Sequence, residues 1–394
     1  MLLARRGYRV VLLDAERFPS DTISTHVLWP PGVAALHRWG LWDRVAAAGP
    51  ALCHNGVTRT PGGTLRGPWH RVDDVDYTIS LRRMVLDAIL VEAARASGVD
   101  VREHCIVDEL LIDDSRVVGI KARERRSGLR FEERAAVVVG SDGLHSTIAR
   151  LVGAATQHVA PPLTANYHQY VSDLPGDRDT NEIYTCPPRE YLLSPCDSGL
   201  TIVNIVVSRM LADEFRHDVH RSFVRALDLQ PELAERVRAG RPAGRIRGTR
   251  DVPNFYRTSI GPGWVLVGDA AYCKDPIRAQ GMSDAFLDAE GLAHALDDGL
   301  SGRRPLDDAL NDHVTARMAR TRYPLNLCLS AARFELPPLD DERAMVERLA
   351  DVPAAIGDMR GLICGSMDPQ RFLETWPIAT PGVRAGSNAS PMVS

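Results

Sequence analysis

Apolar residues in this chain follow two patterns, and the change from one to the other divides it. In MLLARRGYRVVLLDA, an apolar cluster with two arginines gives way to Gly7, then to a run from Tyr8 to Leu13 that ends at Asp14. That order predicts the back half of a helix, a glycine stop and a buried strand closed by an acid. From Arg82 to Ala96, residues Met84, Val85, Ala88, Ile89, Val91 and Ala93 suggest a long helix that Gly98 terminates. Short strands are expected around Val101 to Ile106, Arg116 to Arg123 and Leu129 to Glu133, with Ser127-Gly128 as a hairpin turn. A fully apolar strand is expected at 135–139, meeting Gly140-Ser141-Asp142-Gly143, and a helix begins near Ser146.

Between about 155 and 250 the pattern changes. NEIYTCPPREYLLSPCDSGLTIVNIVVSR reads as antiparallel strands with turns at Pro187-Pro188 and Asp197-Ser198-Gly199, followed by a charged helical stretch from about 210 to 240. The stretch WVLVGDAAYCKDPIRAQGMSDAFLDAE then stops an apolar strand at Gly268-Asp269 and opens a helix near Gly281. After Glu290 the chain reads as largely helical, with breaks at Gly302, Pro337-Pro338 and Pro353, and the tail after Pro377 is expected to fray. The expected fold is α/β, a Rossmann-like dinucleotide-binding domain with an inserted antiparallel-sheet domain and a helical C-terminal region. Its boundaries are 1–154 and 251–300 for the Rossmann-like parts, 155–250 for the sheet and 301–394 for the helices.

Composition narrows the partners. With 44% hydrophobic and 25% charged residues over 394 positions, the chain has the make-up of a packed globular protein. A net charge of −4 gives no field to collect nucleic acid or anionic lipid. The seven cysteines form no CxxC pair, so neither a zinc site nor a disulfide framework is indicated, and a reducing cytoplasm is expected. No apolar run reaches the roughly 18 residues of a membrane span.

The candidate chemistry lies at strand tips. Asp269 follows a glycine at the end of a strand, where a carboxylate suits a sugar or ribityl hydroxyl better than a phosphate. The helix opening at Gly281-Met282-Ser283 turns free N–H groups and a partial positive charge toward a ligand that gains negative charge. Asp14 ends the first strand, either as the acid that takes a ribose hydroxyl or as an ordinary strand-end acid. In the first case it would stand about 20 residues beyond a G-x-G-x-x-G turn. The chain contains no such turn, so a strand and glycine loop encoded upstream of Met1 are expected. In DTISTHVLWPPG, His26 is the titratable imidazole, read either as a general base or as a histidine bonded within a tight loop. The sheet residues Tyr167, Tyr170, Tyr184, Tyr191, Ile202 and Ile205 either line an apolar substrate pocket or form sheet core.

GDAAYCKDPIRAQGMSDA resembles the GD motif of the class A flavoprotein monooxygenases, VVVGSDGLHSTIAR resembles their DG motif, and LRRMVLDAIL resembles their R-x-x-L helix start. The resemblance covers about residues 1–300. It implies FAD held by Asp14 at the ribose, Arg83 near the ribityl-pyrophosphate region, and Gly268 and Asp269 at the ribityl chain. It further implies Pro276 near the reactive edge of the isoalloxazine, Gly281 and Met282 at its pyrimidine end, and Asp142 and Gly143 contacting both FAD and the nicotinamide cofactor. NADPH or NADH would reduce the flavin, and molecular oxygen, through a C4a-hydroperoxide, would hydroxylate an apolar or aromatic small molecule. Tyr272, Ala279 and Ser283 depart from the family's histidine, glycine and asparagine. Two other readings stand beside this one: a geranylgeranyl-reductase-like enzyme that saturates prenyl double bonds, and a non-catalytic protein that keeps the fold without FAD.

Overall fold

The computed structural model describes residues 1–377; the tail after Pro377, expected to fray, lies outside the described residues. Two parallel pairs carry the strand tips picked out by the sequence. Val11–Leu13 pairs with Asp100–Arg102, and Val138–Gly140 pairs with Trp264–Leu266, which continues antiparallel to Ile260–Gly261. Among the described residues no ladder joins the two groups. The helix Arg83–Ala96 forms as its apolar spacing predicts.

Local tertiary contacts trim several expected elements. The opening helix is a single 3-10 turn, Ala4–Arg6, ended by Gly7 at φ 88°, a left-handed conformation that glycine adopts without a Cβ clash. The strand after it is only Val11–Leu13 and half-buried; the Tyr8 N–H is taken up by the Leu3 carbonyl of the preceding turn at 3.2 Å. The run expected at 135–139 is a strand only at Val138–Gly140, since Ala135 donates its N–H to the Val118 carbonyl instead.

The largest sheet among the described residues has seven strands: Arg241–Thr249, Thr164–Ser172, Leu200–Ser208, Arg189–Pro195, Thr180–Cys186, Asn55–Thr60 and Gly63–Pro68, in that spatial order. The last two come from the early part of the chain, outside 155–250, with Asn55–Thr60 running parallel to Thr180–Cys186. Thr156–Ala160 joins a different sheet, with Asn254–Arg257 and Tyr272–Cys273. One face of the large sheet packs Tyr167, Tyr184, Tyr191 and Ile205 against Phe215, Phe223 and Leu227, forming a core beneath the helices Val219–Asp228 and Pro231–Ala239. Those residues are therefore core, and the opposite face is the one available to a ligand.

The C-terminal helices clamp the two halves. Leu306–Ala332 lies along Gly281–Leu300, burying Leu310 with Leu292 and Leu296. Leu339–Ala350 and Pro353–Cys364 cover the Gly63–Pro68 strand through Val346, Leu349 and Ile356 against Leu65. The buried guanidinium of Arg360 donates to the carbonyls of Gly56 (2.7 Å) and Pro68 (2.9 Å). Pro68 ends the edge strand, and Gly56 lies on the strand next to it.

Candidate active site

A cavity of about 470 Å³ lies between the strand tips, the Gly281–Leu300 helix and the open face of the large sheet. Arg83, Gly143, Gly268, Asp269, Pro276, Gly281 and Met282 border it; Asp14 and Asp142 do not.

Asp269 lines it. Its side chain is exposed to the cavity. Its carboxyl is pushed up to about 6, first by the surrounding protein and then by the Asp284 carboxylate, against Arg83 and Lys274. Cavity water offsets part of that push, and a ligand displacing the water would restore it. The preceding Gly268 has φ 60°, which explains the glycine, and its N–H donates to Asp288 Oδ2 at 2.9 Å. Asp288 is in turn 3.3 Å from Arg317, which donates to Ser259 Oγ at 2.5 Å, and 3.2 Å from His313. Burial alone would raise the Asp288 carboxyl, but His313, Arg317 and the Gly268 N–H hold it below its ordinary value. This buried brace fixes the strand tip. It was missed in the sequence because its partners lie on two helices whose packing no local pattern reveals.

No side chain caps the Gly281–Leu300 helix, and a Cβ built on Gly281 meets nothing within 4 Å. Its first N–H groups therefore face open space at the cavity, as a ligand contact requires. Pro276 opens a 3-10 turn, Pro276–Arg278, in which Asp275 accepts from the Ile277 N–H at 3.1 Å. Met282 Sδ receives Ser24 Oγ at 3.8 Å. Arg83 forms a two-pronged pair with Asp87, 2.8 Å on each arm, and the two together line the cavity.

The other predicted groups make local hydrogen bonds. Asp142 accepts from Ser146 Oγ (2.5 Å), Thr147 N (2.6 Å) and Ile148 N (3.1 Å), so its carboxylate caps the helix Thr147–Leu151 while Gly143 beside it borders the cavity. Asp14 accepts from the Glu16 N–H at 2.8 Å, and burial pushes its carboxyl up. His26, 1% exposed and at φ 63°, takes Ser24 Oγ at 2.7 Å on Nδ1 and meets the Tyr170 hydroxyl on Nε2. Burial, then His168 and nearby arginines, push its pKa down to about 3, so the ring is neutral and tied up within its own loop and sheet.

The three departures each have a packing partner. Tyr272 stacks on Tyr256 at 4.7 Å, Ser283 Oγ accepts from Trp29 N at 3.1 Å, and Ala279 takes a left-handed φ of 51° where glycine would be unstrained. Trp29 Nε1 donates to the Ala279 carbonyl at 3.0 Å and holds that turn.

The residues present fit FAD. An acid open to the cavity suits a ribityl hydroxyl, an uncapped helix start suits an electron-rich ring end, and Gly281 leaves room for it. Comparison with known proteins agrees. Residues 1–321 match the FAD binding domain family. Kynurenine 3-monooxygenase of Salinispora arenicola is 25% identical over 95% of this chain and 83% of its own length. Digeranylgeranylglycerophospholipid reductase of Methanosarcina mazei is 29% identical, over 59% of this chain and 56% of its own length. The solved structure of the myxobacterial chondrochloren halogenase CndH superposes with a TM-score of 0.73 at 21% identity, covering 94% of each chain, which shows the shared fold. The chain belongs to the FAD-binding-domain family of class A flavoprotein monooxygenases and is a FAD-dependent oxidoreductase.

Proposed function

We propose that this enzyme is an NAD(P)H-dependent monooxygenase that hydroxylates an aromatic or otherwise electron-rich small molecule. The observation that carries the reading is the single chamber. The residues suited to FAD (Asp269, Pro276, Gly281) and the open face of the large sheet (Asn166, His168, Asn204) border one cavity, so cofactor and substrate would meet inside protein. The match to kynurenine 3-monooxygenase along 95% of this chain supports it.

When bound, FAD supplies the two-electron chemistry and the reaction with oxygen. One oxygen atom enters the substrate as a hydroxyl and the other leaves as water, with NAD(P)H as the source of electrons. The chain's own contribution is to hold and to enclose. Asp269 anchors the cofactor's sugar-like chain, Arg83 balances its charge, and the N–H groups at Gly281 and Met282 stabilise negative charge at the ring end. The sheet wall and the Thr22–Thr25 segment bound the substrate side.

Oxygen uptake is the test. With FAD and NADPH or NADH supplied, the protein should consume oxygen and release some peroxide without substrate. The competing reading is a prenyl reductase, favoured by the 29% identity to the archaeal enzyme. Reduced flavin that persists in air for minutes and discharges only onto a prenyl double bond would establish that reading instead.

A further inference from the structure

Four polar side chains form a hydrogen-bond chain from the turn at Pro276 to the cavity wall. Asp275 Oδ1 accepts from Thr164 Oγ1 at 2.7 Å and from Ile277 N at 3.1 Å, while Oδ2 accepts from Thr164 N at 3.1 Å. Thr164 Oγ1 is 3.3 Å from Asn166 Nδ2, and Asn166 Oδ1 is 3.1 Å from Asn204 Nδ2. The chain ends at Asn204 Oδ1, which is buried, lacks a hydrogen-bond partner and belongs to a residue of the cavity wall.

The anchor gives this chain a direction. An amide's oxygen and nitrogen have nearly the same shape, so their assignment rests on the network around them. A carboxylate only accepts, so the single Thr164 proton is committed to Asp275 and Thr164 Oγ1 must accept from Asn166. Asn166 then offers its oxygen to Asn204, and the oxygen of Asn204, a residue of the cavity wall, is left without a partner. Burial pushes the Asp275 carboxyl up, and the Thr164 hydroxyl and the two backbone N–H groups, one on each oxygen, oppose that by stabilising the charge. Position agrees with polarity. Asn166, His168 and Tyr170 alternate on the open face of their strand, and His168 stands opposite Asn204 in the register. A bare buried carbonyl on a residue that borders a ligand chamber is an acceptor without a donor.

We propose that Asn204 Oδ1 is a recognition atom for the substrate, taking an O–H or N–H group of the bound molecule, and that Asp275, Thr164 and Asn166 set its polarity. This rests on the reading that the cavity admits the substrate. A site built to hydrogen-bond a donor discriminates strongly against an analogue lacking it, because the site's own polar group is left unpaired. The expected preference is about tenfold to hundredfold in affinity.

The test uses shape-matched probes, phenol against toluene and indole against benzothiophene. Their dissociation constants for the FAD-loaded protein are measured by calorimetry with no reductant present. The donor member of each pair should bind about tenfold tighter or better, and Asn204→Leu should bring the pair within about twofold. Thr164→Val keeps the volume and the backbone N–H on Asp275 but frees the amides to turn. It should reduce the preference while the protein remains folded, and it decides the matter alone if Asn204→Leu does not fold. Equal binding of both members, a preference that survives both substitutions, or no binding of any probe overturns the proposal. Because nothing turns over, a protein that keeps the preference yet consumes no oxygen refutes only the monooxygenase reading.

Discussion

Replacing Asp288 by alanine should cost about 3–5 kcal/mol of folding stability, the usual effect of removing one partner of a buried ion pair. Asp288 is 2% exposed, and Arg317, also 2% exposed, loses its carboxylate in the variant. At the 3.3 Å separation of the pair, an effective dielectric of about 20 gives an attraction near 5 kcal/mol. The Gly268 N–H loses its acceptor as well. Urea denaturation followed by circular dichroism at pH 7 measures the loss, which is a large part of the roughly 5–15 kcal/mol that holds a typical domain together. The folded pKa of Asp288 lies below its ordinary value of 3.8, so the contribution is present above that value and fades as pH falls through the folded value. The penalty should hold at pH 5 and shrink in stronger acid. Replacing both partners with apolar residues, Asp288→Leu with Arg317→Met, should recover most of the loss. A penalty in Asp288→Ala below about 1 kcal/mol would refute the view that this brace supports the strand tip.

Two further outcomes follow from the site. Gly281→Ala should leave the melting temperature of the flavin-free protein unchanged or slightly raised, because the new methyl meets nothing within 4 Å, while weakening FAD binding several-fold; equal FAD affinity in a titration would count against Gly281 as a contact. His26 has a folded pKa near 3 against an ordinary 6.5, so the folded state binds fewer protons and stability should climb as pH rises from about 3 to 6.5. His26→Gln should flatten that climb in melting curves, leaving the smaller share due to His168, whose pKa burial pushes down to about 4; a variant curve parallel to the wild type would show that His26 is not the group responsible.

The parts of the site written in contiguous sequence were legible. An apolar strand stopping at Gly268-Asp269 and a helix restarting at Gly281 are local events, and both stand where the pattern put them. The Asp142 segment was legible as a strand end, but its carboxylate is engaged in capping the helix behind it, a use that Ser146 and the two following N–H groups make visible only in three dimensions. The large sheet was less legible, since its Asn55–Thr60 and Gly63–Pro68 strands are brought in by parallel pairing across more than a hundred residues. Alternation along Thr164–Ser172 gave two faces without saying which one the helices would cover. The aromatic face went to the core with Phe215, and the polar face of Asn166 and His168 became the cavity wall.

The central claim is that the cavity between Asp269 and the start of the Gly281–Leu300 helix holds FAD, and titration of flavin-free protein at pH 8, where Asp269 is ionised, tests it most directly. Wild type should take up one FAD per chain, and Asp269→Ala should bind it more weakly by about 1–3 kcal/mol, roughly fivefold to 150-fold. Folded wild-type protein that takes up no flavin, or an Asp269→Ala variant with unchanged affinity, would contradict the account.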